Sequence, residues 1–182
     1  MASYKFRVLL DNTENEEIFR DIELDGFHTF EQFYNIIIKA FEFNGDQMAS
    51  FYASNTDWDK GEEIGLFEMG EENGTLFHLM SNSLIEDFIN SESQRFILVY
   101  DFLKMWCFLI ELIQTNANSL NEPEITLSIG ATLPEESREI DFEMPGNDLG
   151  NDFDDIFSES EDYNLENEDD FGGFENIDDY DF

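Results

Sequence analysis

The residues of this chain that could do chemistry are first of all carboxylates. Asp57 and Asp59 lie together in a polar segment, and Asp101 lies in an otherwise apolar stretch. Carboxylate oxygens are the ligands that Mg²⁺ prefers, so these three residues could hold a divalent metal ion in a nuclease-like site. The segment from Asn55 to Gly61 has the composition of a calcium loop, but its glycine is not where an EF-hand requires one. We favour a solvated acidic loop for the first two residues and a turn-capping acceptor for Asp101.

The histidines and the cysteine of this chain are weak candidates for catalytic residues. His28 precedes a predicted helix start and His78 alternates within an apolar segment, so a structural role is favoured for each. Cys107 is the only cysteine, which excludes an intramolecular disulfide and a zinc site made of thiolates. Its apolar neighbours favour a buried structural thiol over a reactive one. The sequence contains no glycine-rich phosphate loop, nucleophile elbow or His-x-x-x-His pair, so we predict no catalytic residue, no metal site and no cofactor.

The net charge of the chain indicates which classes of partner it can bind. The 182 residues include 44 acidic and 8 basic side chains, a formal net charge of −36. Nucleic-acid affinity comes largely from Lys and Arg side chains that neutralise phosphates, so direct binding of DNA or RNA is not expected. The same charge would attract a basic protein, whose identity the sequence does not reveal, and it would also suit a protein that mimics DNA.

Residues 137–182 form a predicted tail of different composition. They carry 18 acidic side chains and one basic residue, Arg138, for a net charge of −17, whereas residues 1–136 have a net charge of −19. The tail has no sustained hydrophobic period and cannot bury enough apolar surface to offset its ordering entropy, so we expect disorder. Aromatic rings among carboxylates are typical of disordered segments that bind partners, and a purely solubilising tail is the alternative. The candidate partner-binding residues are Phe153, Phe157, Phe171, Phe174, Tyr180 and Phe182.

Helix signals occur at two places in the first half of the chain. The pair Thr29 and Gln32 has the pattern of a capping box, in which each side chain satisfies a free backbone N–H at the start of a helix. Apolar residues follow at helical spacing and Asn44-Gly45 is a stop signal, so the main amphipathic helix should span about 29–43 and cover the sheet. The pair Ser83 and Glu86 repeats the capping pattern and predicts a second, short helix.

Alternation with a period of two predicts the strands. The longest apolar run, Arg95 to Gln114, should form two buried strands with a turn near Leu103-Lys104. Charged residues interrupt this run and the first ten residues lack signal-peptide features, so we expect a cytoplasmic protein without a membrane helix. Further extended segments are predicted at 3–10 and 17–24, joined as a hairpin, and at 48–54, 64–68, 76–80 and 124–130. The predicted fold is α+β: an antiparallel-rich β-sheet with one main and one short packed α-helix in residues 1–136, followed by the disordered acidic tail.

The centre of the apolar run resembles a known family. The shared order is Tyr-Asp-Phe, a short turn, a tryptophan and an apolar strand, here Tyr100-Asp101-Phe102, Trp106 and Ile110-Glu111-Leu112. It resembles the plasmid pRiA4b ORF-3-like family, whose pattern is Tyr-Asp-Phe-Gly-Asp-x-Trp-x-His. Flanking stretches are similar too, namely Ala40-Phe41-Glu42-Phe43, Asp46, residues 48–51, and Gly130-Ala131-x-x-Pro134-Glu135-Glu136, which resembles the family's Pro-Pro-Glu-Asp segment. The resemblance covers roughly residues 3–136, and the acidic tail is similar to that of members from Bacteroidetes-type bacteria.

The resemblance implies an α+β fold with an antiparallel-rich sheet, and no established biochemical role. Leu103-Lys104 stands where the family has Gly-Asp, and Phe108 stands where it has His. Because leucine does not suit a positive φ, the turn geometry is expected to differ. The lost polar residues imply that the remaining motif positions are structural here: Tyr100, Asp101, Phe102 and Trp106. We therefore favour a non-enzymatic protein-interaction module that uses its acidic surface and tail. The alternatives are a DNA mimic and a divalent-metal-dependent enzyme that uses Asp57, Asp59 and Asp101.

Overall fold

The structure, a computed structural model, describes residues 2–14, 16–68 and 77–140. These ranges contain one eight-stranded sheet of order β5-β4-β3-β6-β7-β1-β2-β8. The strands are β1 Ser3–Leu10, β2 Phe19–Asp25, β3 Ala49–Ser54, β4 Lys60–Gly65, β5 His78–Leu79, β6 Arg95–Tyr100, β7 Trp106–Asn116 and β8 Glu124–Ile129. The helix α1 spans Phe30–Ala40, and 3₁₀ turns span Ile85–Phe88 and Glu135–Ser137. Neighbouring strands pair antiparallel except β4 and β5, which are parallel. The predicted α+β class with an antiparallel-rich sheet is confirmed.

One face of the sheet carries the hydrophobic core, and α1 lies on it. The alternating apolar residues of the central strands point to this face because successive side chains of a strand point to opposite sides. Aromatic rings fill the layer between helix and sheet. The ring centroid of Phe30 lies 5.1 Å from that of Phe51 and 5.3 Å from that of Phe96. Such edge-to-face pairs add roughly 0.5–1.5 kcal/mol each beyond the area they bury.

The helix α1 begins where the sequence predicts and ends earlier. Thr29 Oγ1 accepts a hydrogen bond from Gln32 N at 3.2 Å, and Gln32 Oε1 accepts one from Thr29 N at 2.9 Å, so the capping box is confirmed. The end is not at Asn44-Gly45. Glu42 has a φ of 59°, and the backbone N–H groups of Glu42 and Phe43 donate to the helix's last carbonyls. This closing motif turns Phe43 back into the core, where its ring lies 5.0 Å from that of Trp106.

Two further local predictions need correction. The capping box at Ser83 does not form, because Ser83 Oγ donates to the Leu79 carbonyl at 2.8 Å and the segment makes only the 3₁₀ turn Ile85–Phe88. The strand expected at 64–68 runs over Lys60–Gly65 instead. It starts early because Asn55 Oδ1 accepts from two backbone N–H groups of the preceding loop, which closes a tight hairpin with β3.

The first compact unit of the chain comprises Met1–Asp141. It includes Arg138, whose guanidinium carbon lies 5.2 Å from the centre of the Trp106 ring. A domain boundary at 136/137 stays a prediction, and most of the predicted tail lies outside the described residues. Among the residues that are described, no helix is long and apolar enough to cross a membrane.

Candidate functional site

The family motif lies at the tip of the β6–β7 hairpin, as predicted from its alternation. Tyr100 ends β6, Trp106 begins β7, and these two residues face each other across the pair. In the turn between them, Asp101 Oδ1 accepts hydrogen bonds from Leu103 N at 3.1 Å and Lys104 N at 3.2 Å. Asp101 therefore caps the turn, which is the favoured interpretation of this carboxylate.

The turn differs from one that requires glycine at its centre. The positive φ values fall on Asp101 at 58° and Met105 at 53°, and Leu103 has none. Aspartate tolerates this conformation because its short polar side chain can hydrogen-bond locally. Leucine is accommodated because the left-handed residues lie at the two ends of the turn. The half-buried Phe102 lies in this turn as well, rather than extending the buried face of β6.

A buried polar cluster forms where the second 3₁₀ turn meets the hairpin. The Tyr100 hydroxyl donates to Glu135 Oε1 at 2.8 Å and accepts from Gly45 N at 3.0 Å. Glu135 Oε2 accepts from Asn44 N at 2.7 Å, so its carboxylate joins the hairpin to the segment after α1. Tyr100 is 0% exposed and Glu135 is 8% exposed. A carboxylate can be buried at this depth because both of its oxygens have donors.

The backbone of Glu135 makes a second connection to the motif. Its carbonyl oxygen accepts from Trp106 Nε1 at 3.3 Å and lies 3.5 Å from Lys104 Nζ. Arg138 then stacks over the indole ring of Trp106. The residues that identify the family thus bind the segment around Glu135 to the tip of the hairpin.

The tyrosines of this region are poor acid–base groups at neutral pH. Burial, and then the nearby carboxylates of Glu135 and Asp46, raise the pKa of Tyr34 to about 12. Burial and the hydrogen bond to Glu135 raise the pKa of Tyr100 as well. Both hydroxyls therefore stay protonated across the physiological range, and Tyr100 acts as a hydrogen-bond donor. This chemistry suits a structural cluster better than a catalytic one.

The three carboxylates of the metal hypothesis lie apart. Asp57 and Asp59 follow β3 at its Ser54 end, which pairs with Arg95, whereas Asp101 follows Tyr100 at the opposite end of β6. A six-residue strand is about 17 Å long, which is too far for shared coordination of one ion. Within the described ranges, no group of three or more His, Cys, Asp or Glu side chains is placed to hold a metal. The geometry gives the metal-enzyme hypothesis no support.

The histidines and the cysteine have the surroundings of structural residues. His28 is 1% exposed, its Nδ1 accepts from Asp25 N at 2.9 Å, and its Nε2 lies 3.1 Å from the Asn121 carbonyl. Both ring nitrogens thus meet backbone atoms, with the proton on Nε2. His78 lies on β5 with its ring centroid 5.2 Å from that of Phe88. Cys107 is half-buried rather than fully buried, and burial raises the pKa of its thiol, which disfavours the reactive thiolate.

Carboxylates gather on the outer side of the motif. A groove of ≈ 300 Å³ at the hairpin tip, which we call the hairpin-tip groove, is bordered by four of them: Asp46, Asp101, Glu135 and Glu136. Asp46 and Glu136 are exposed, and Lys104 is the basic residue of the lining. The groove can receive hydrogen-bond donors and positive charge.

Glu135 is the site residue that sequence reasoning missed. Its segment is similar to the family's Pro-Pro-Glu-Asp stretch, but that similarity alone indicates no role for the residue. A buried tyrosine hydroxyl and a buried indole N–H each need a hydrogen-bond partner. The sequence signal for Glu135 is therefore that this stretch occurs in the same chain as the Tyr and Trp of the hairpin. The six predicted partner-binding aromatics lie outside the described residues, so their role stays a prediction: Phe153, Phe157, Phe171, Phe174, Tyr180 and Phe182.

The chain is similar to one protein family in sequence and to a solved structure in fold. Residues 2–168 match the model of a family described as plasmid pRiA4b ORF-3-like protein. The match runs past residue 136, so the motif-based estimate of its extent was too short. A crystal structure of protein MM3350 from Methanosarcina mazei Go1, a protein of unknown function, is similar with a TM-score of 0.64 and 18% sequence identity. The similarity covers 76% of each chain and shows a shared fold. Comparison with curated protein sequences finds no match.

Proposed function

This chain belongs to the plasmid pRiA4b ORF-3-like family, and for this member we propose a cytoplasmic, non-enzymatic role as a protein-interaction module. It binds a basic protein through its acidic surface and through the acidic, aromatic segment that follows the first compact unit. Direct nucleic-acid binding and membrane association form no part of the proposal.

The main support for the proposal is that the few basic side chains make contacts within the chain. All eight lie in the described residues, and seven of them contact partners within the chain. These seven are Lys5, Arg7, Arg20, Lys60, Arg95, Lys104 and Arg138. Lys39 is exposed at the last turn of α1. The charge that the chain offers to a partner is therefore overwhelmingly negative, which favours a basic protein and disfavours a phosphate backbone.

The hairpin-tip groove is a part of the described surface that fits a basic side chain. Its exposed carboxylates, Asp46 and Glu136, lie beside the buried carboxylates of Asp101 and Glu135. Leu103 adds an exposed apolar side chain at the rim. A lysine or arginine of a partner could place its charged head among these carboxylates and its aliphatic stem along the leucine.

The C-terminal aromatics divide into two sets. Phe153 and Phe157 fall inside the stretch that matches the family model, and the other four, Phe171, Phe174, Tyr180 and Phe182, lie beyond residue 168. If the family role resides in the matched stretch, the first pair should matter more for capture. Carboxylates around both sets would steer the approach of a basic surface.

The test is affinity capture from the native cytoplasm with matched forms of the protein in parallel. The truncated form should end after Asp141, because Glu135 and Arg138 hold the hairpin tip together. We expect the full-length chain to capture a basic partner and the truncated form to lose it, with the thermal transition nearly unchanged. If the truncated form captures the same partner, the C-terminal segment has no part in binding.

Substitutions separate charge from aromatic docking in the full-length chain. Replacing Phe153 and Phe157 by alanine preserves the charge and should weaken capture if the rings fill pockets. Asp46→Asn with Glu136→Gln tests the hairpin-tip groove, and Glu31→Gln with Glu92→Gln is the control with the same charge change on other exposed acids. Competition between DNA and this protein for the captured partner would show that the acidic surface acts as a DNA mimic.

A further inference from the structure

The sheet has a second face that the helices do not cover. Within the described residues, α1 and both 3₁₀ turns meet the core face, through residues such as Phe33, Ile85 and Glu135. The other side of the central strands, which we call the open face, carries Arg7 and Leu9 of β1 together with Leu109 and Glu111 of β7. Leu9 and Leu109 are half-buried, and Trp58 of the β3–β4 loop lines a groove of ≈ 290 Å³ beside them.

An apolar row crosses the open face from strand to strand. Cross-strand pairing connects six side chains in the order Tyr52, Ile97, Leu109, Leu9, Phe19 and Ile129. Strands lie about 4.8 Å apart, so the row is about 24 Å wide. Ile129 at its end is 41% exposed. Ile97 is buried at 5% exposure and the other four side chains are half-buried, so the row is a partly exposed apolar stripe of the kind that interaction surfaces use.

A row of alternating charge runs beside the apolar row. Its members are, in strand order, Asp21 on β2, Arg7 on β1, Glu111 on β7 and Arg95 on β6. Arg7 binds Asp21 through two hydrogen bonds of 2.8 Å, and Arg95 Nη2 lies 3.2 Å from Glu111 Oε1. The row contains two positive and two negative side chains, so it is neutral on a chain whose net charge is −36.

We infer that the open face binds a second copy of this chain, about a two-fold axis that runs along the strands between β1 and β7. Such an axis exchanges the strands on its two sides, so the charge row meets itself in reverse order. Arg7 then faces Glu111 of the second copy, and Asp21 faces Arg95. Every like-charge contact is avoided, and Leu9 faces Leu109 in the apolar row. Two sheets that pack with nearly aligned strands, about 10 Å apart, have this arrangement.

The charge distribution favours a second copy over a different partner on this face. A basic partner gains nothing from a neutral row, and an acidic partner is repelled by the chain as a whole. Because the charge row is neutral, two strongly acidic copies can meet along it with little local repulsion. Because the remaining net charge repels over a distance, added salt should strengthen self-association. Salt should have the opposite effect on the basic-partner binding proposed above, so the two ideas succeed or fail separately.

Sedimentation analysis of the full-length chain tests the inference. The monomer mass is 21.3 kDa. We expect a concentration-dependent shift towards twice this mass between roughly 1 and 200 µM, with a larger dimer fraction at about 0.5 M than at about 0.02 M salt. A monomer across this whole range of concentration and salt would overturn the inference.

Two substitutions test the position of the axis. Leu9→Lys and Leu109→Glu should each weaken self-association at least about tenfold, because each places a charge in the centre of the apolar row. An equal mixture of the two variants should recover dimers. In a mixed dimer, the lysine at position 9 of one copy faces the glutamate at position 109 of the other. The second, symmetry-related contact is still between Leu109 and Leu9. Phe67→Glu is the control, because Phe67 is an exposed apolar residue outside the open-face rows and the hairpin-tip groove.

Each remaining outcome contradicts the inferred geometry. If both single variants still form dimers like the parent, another surface carries the association. If the mixture does not recover dimers although both variants keep the parental thermal transition, Leu9 does not face Leu109 and the axis is wrong. If Phe67→Glu weakens association as strongly as the two others, the effect comes from added charge and not from the open face.

Discussion

The hydrogen bond between Tyr100 and Glu135 should show strong energetic coupling. In Tyr100→Phe, the carboxylate loses a buried donor and Gly45 N loses its acceptor. Hydrogen bonds to charged groups contribute roughly 1.5–3 kcal/mol, so we expect a loss of about 2–3 kcal/mol in the free energy of unfolding. Glu135→Ala also deprives Asn44 N of its acceptor and should cost about 3–5 kcal/mol.

A double-mutant cycle isolates the pair from these side effects. Unfolding in urea can be followed by tryptophan fluorescence, to which Trp106 contributes; this residue is 2% exposed and contacts the same cluster. The double variant Tyr100→Phe with Glu135→Ala should be less destabilised than the sum of the two single variants, by about 1.5–3 kcal/mol. Glu136→Ala is the matched control, since this neighbouring glutamate is exposed and should change stability by no more than about 0.5 kcal/mol. Additivity of the two single variants within about 0.5 kcal/mol would refute the proposed coupling.

Three other predictions concern the same domain. The pKa of Tyr34 is raised from 10.0 to about 12 in the folded chain, so the unfolded chain loses this proton first. The contribution of Tyr34 to stability should be full below pH 10 and fall by about 2–3 kcal/mol between pH 10 and 12, and Tyr34→Phe should make this part of a denaturation series less steep; an equally steep fall in that variant would contradict the assignment. Thr29→Ala removes the cap of α1 and should cost about 1 kcal/mol in chemical denaturation, whereas no loss would mean that the capping box contributes nothing. Titration with Mg²⁺ or Mn²⁺ should leave the thermal midpoint unchanged in the parent and in Asp101→Asn, which keeps the turn-capping oxygen; a metal-dependent rise that this substitution removes would restore the metal-enzyme hypothesis.

Local patterns were sufficient to predict most elements of the fold. Strand alternation predicted the β1–β2 and β6–β7 hairpins, and the pair Thr29 and Gln32 predicted the start of α1, because each signal depends on residues close together in sequence. The end of α1 was missed because Glu42 takes the left-handed conformation although Gly45 lies only three residues further on. Burial of Phe43 against Trp106 favours the earlier closure, and this is a tertiary effect.

The candidate site was harder to predict because its residues are brought together from distant segments. Tyr100 and Glu135 are 35 positions apart, and neither residue alone indicates the other. The charge row of the open face depends in the same way on β1 lying between β7 and β2, which no local pattern specifies. By contrast, the turn-capping role of Asp101 was predictable, since its partners are two and three residues away.

The proposed function requires that a basic protein binds through the carboxylates of this chain. The decisive measurement is the affinity of the captured partner for the full-length chain and for the form that ends after Asp141, each at low and high salt. We predict that truncation weakens binding at least about tenfold and that salt weakens binding of the full-length chain further. Equal affinity of the two forms, unchanged by salt, would contradict the proposed function.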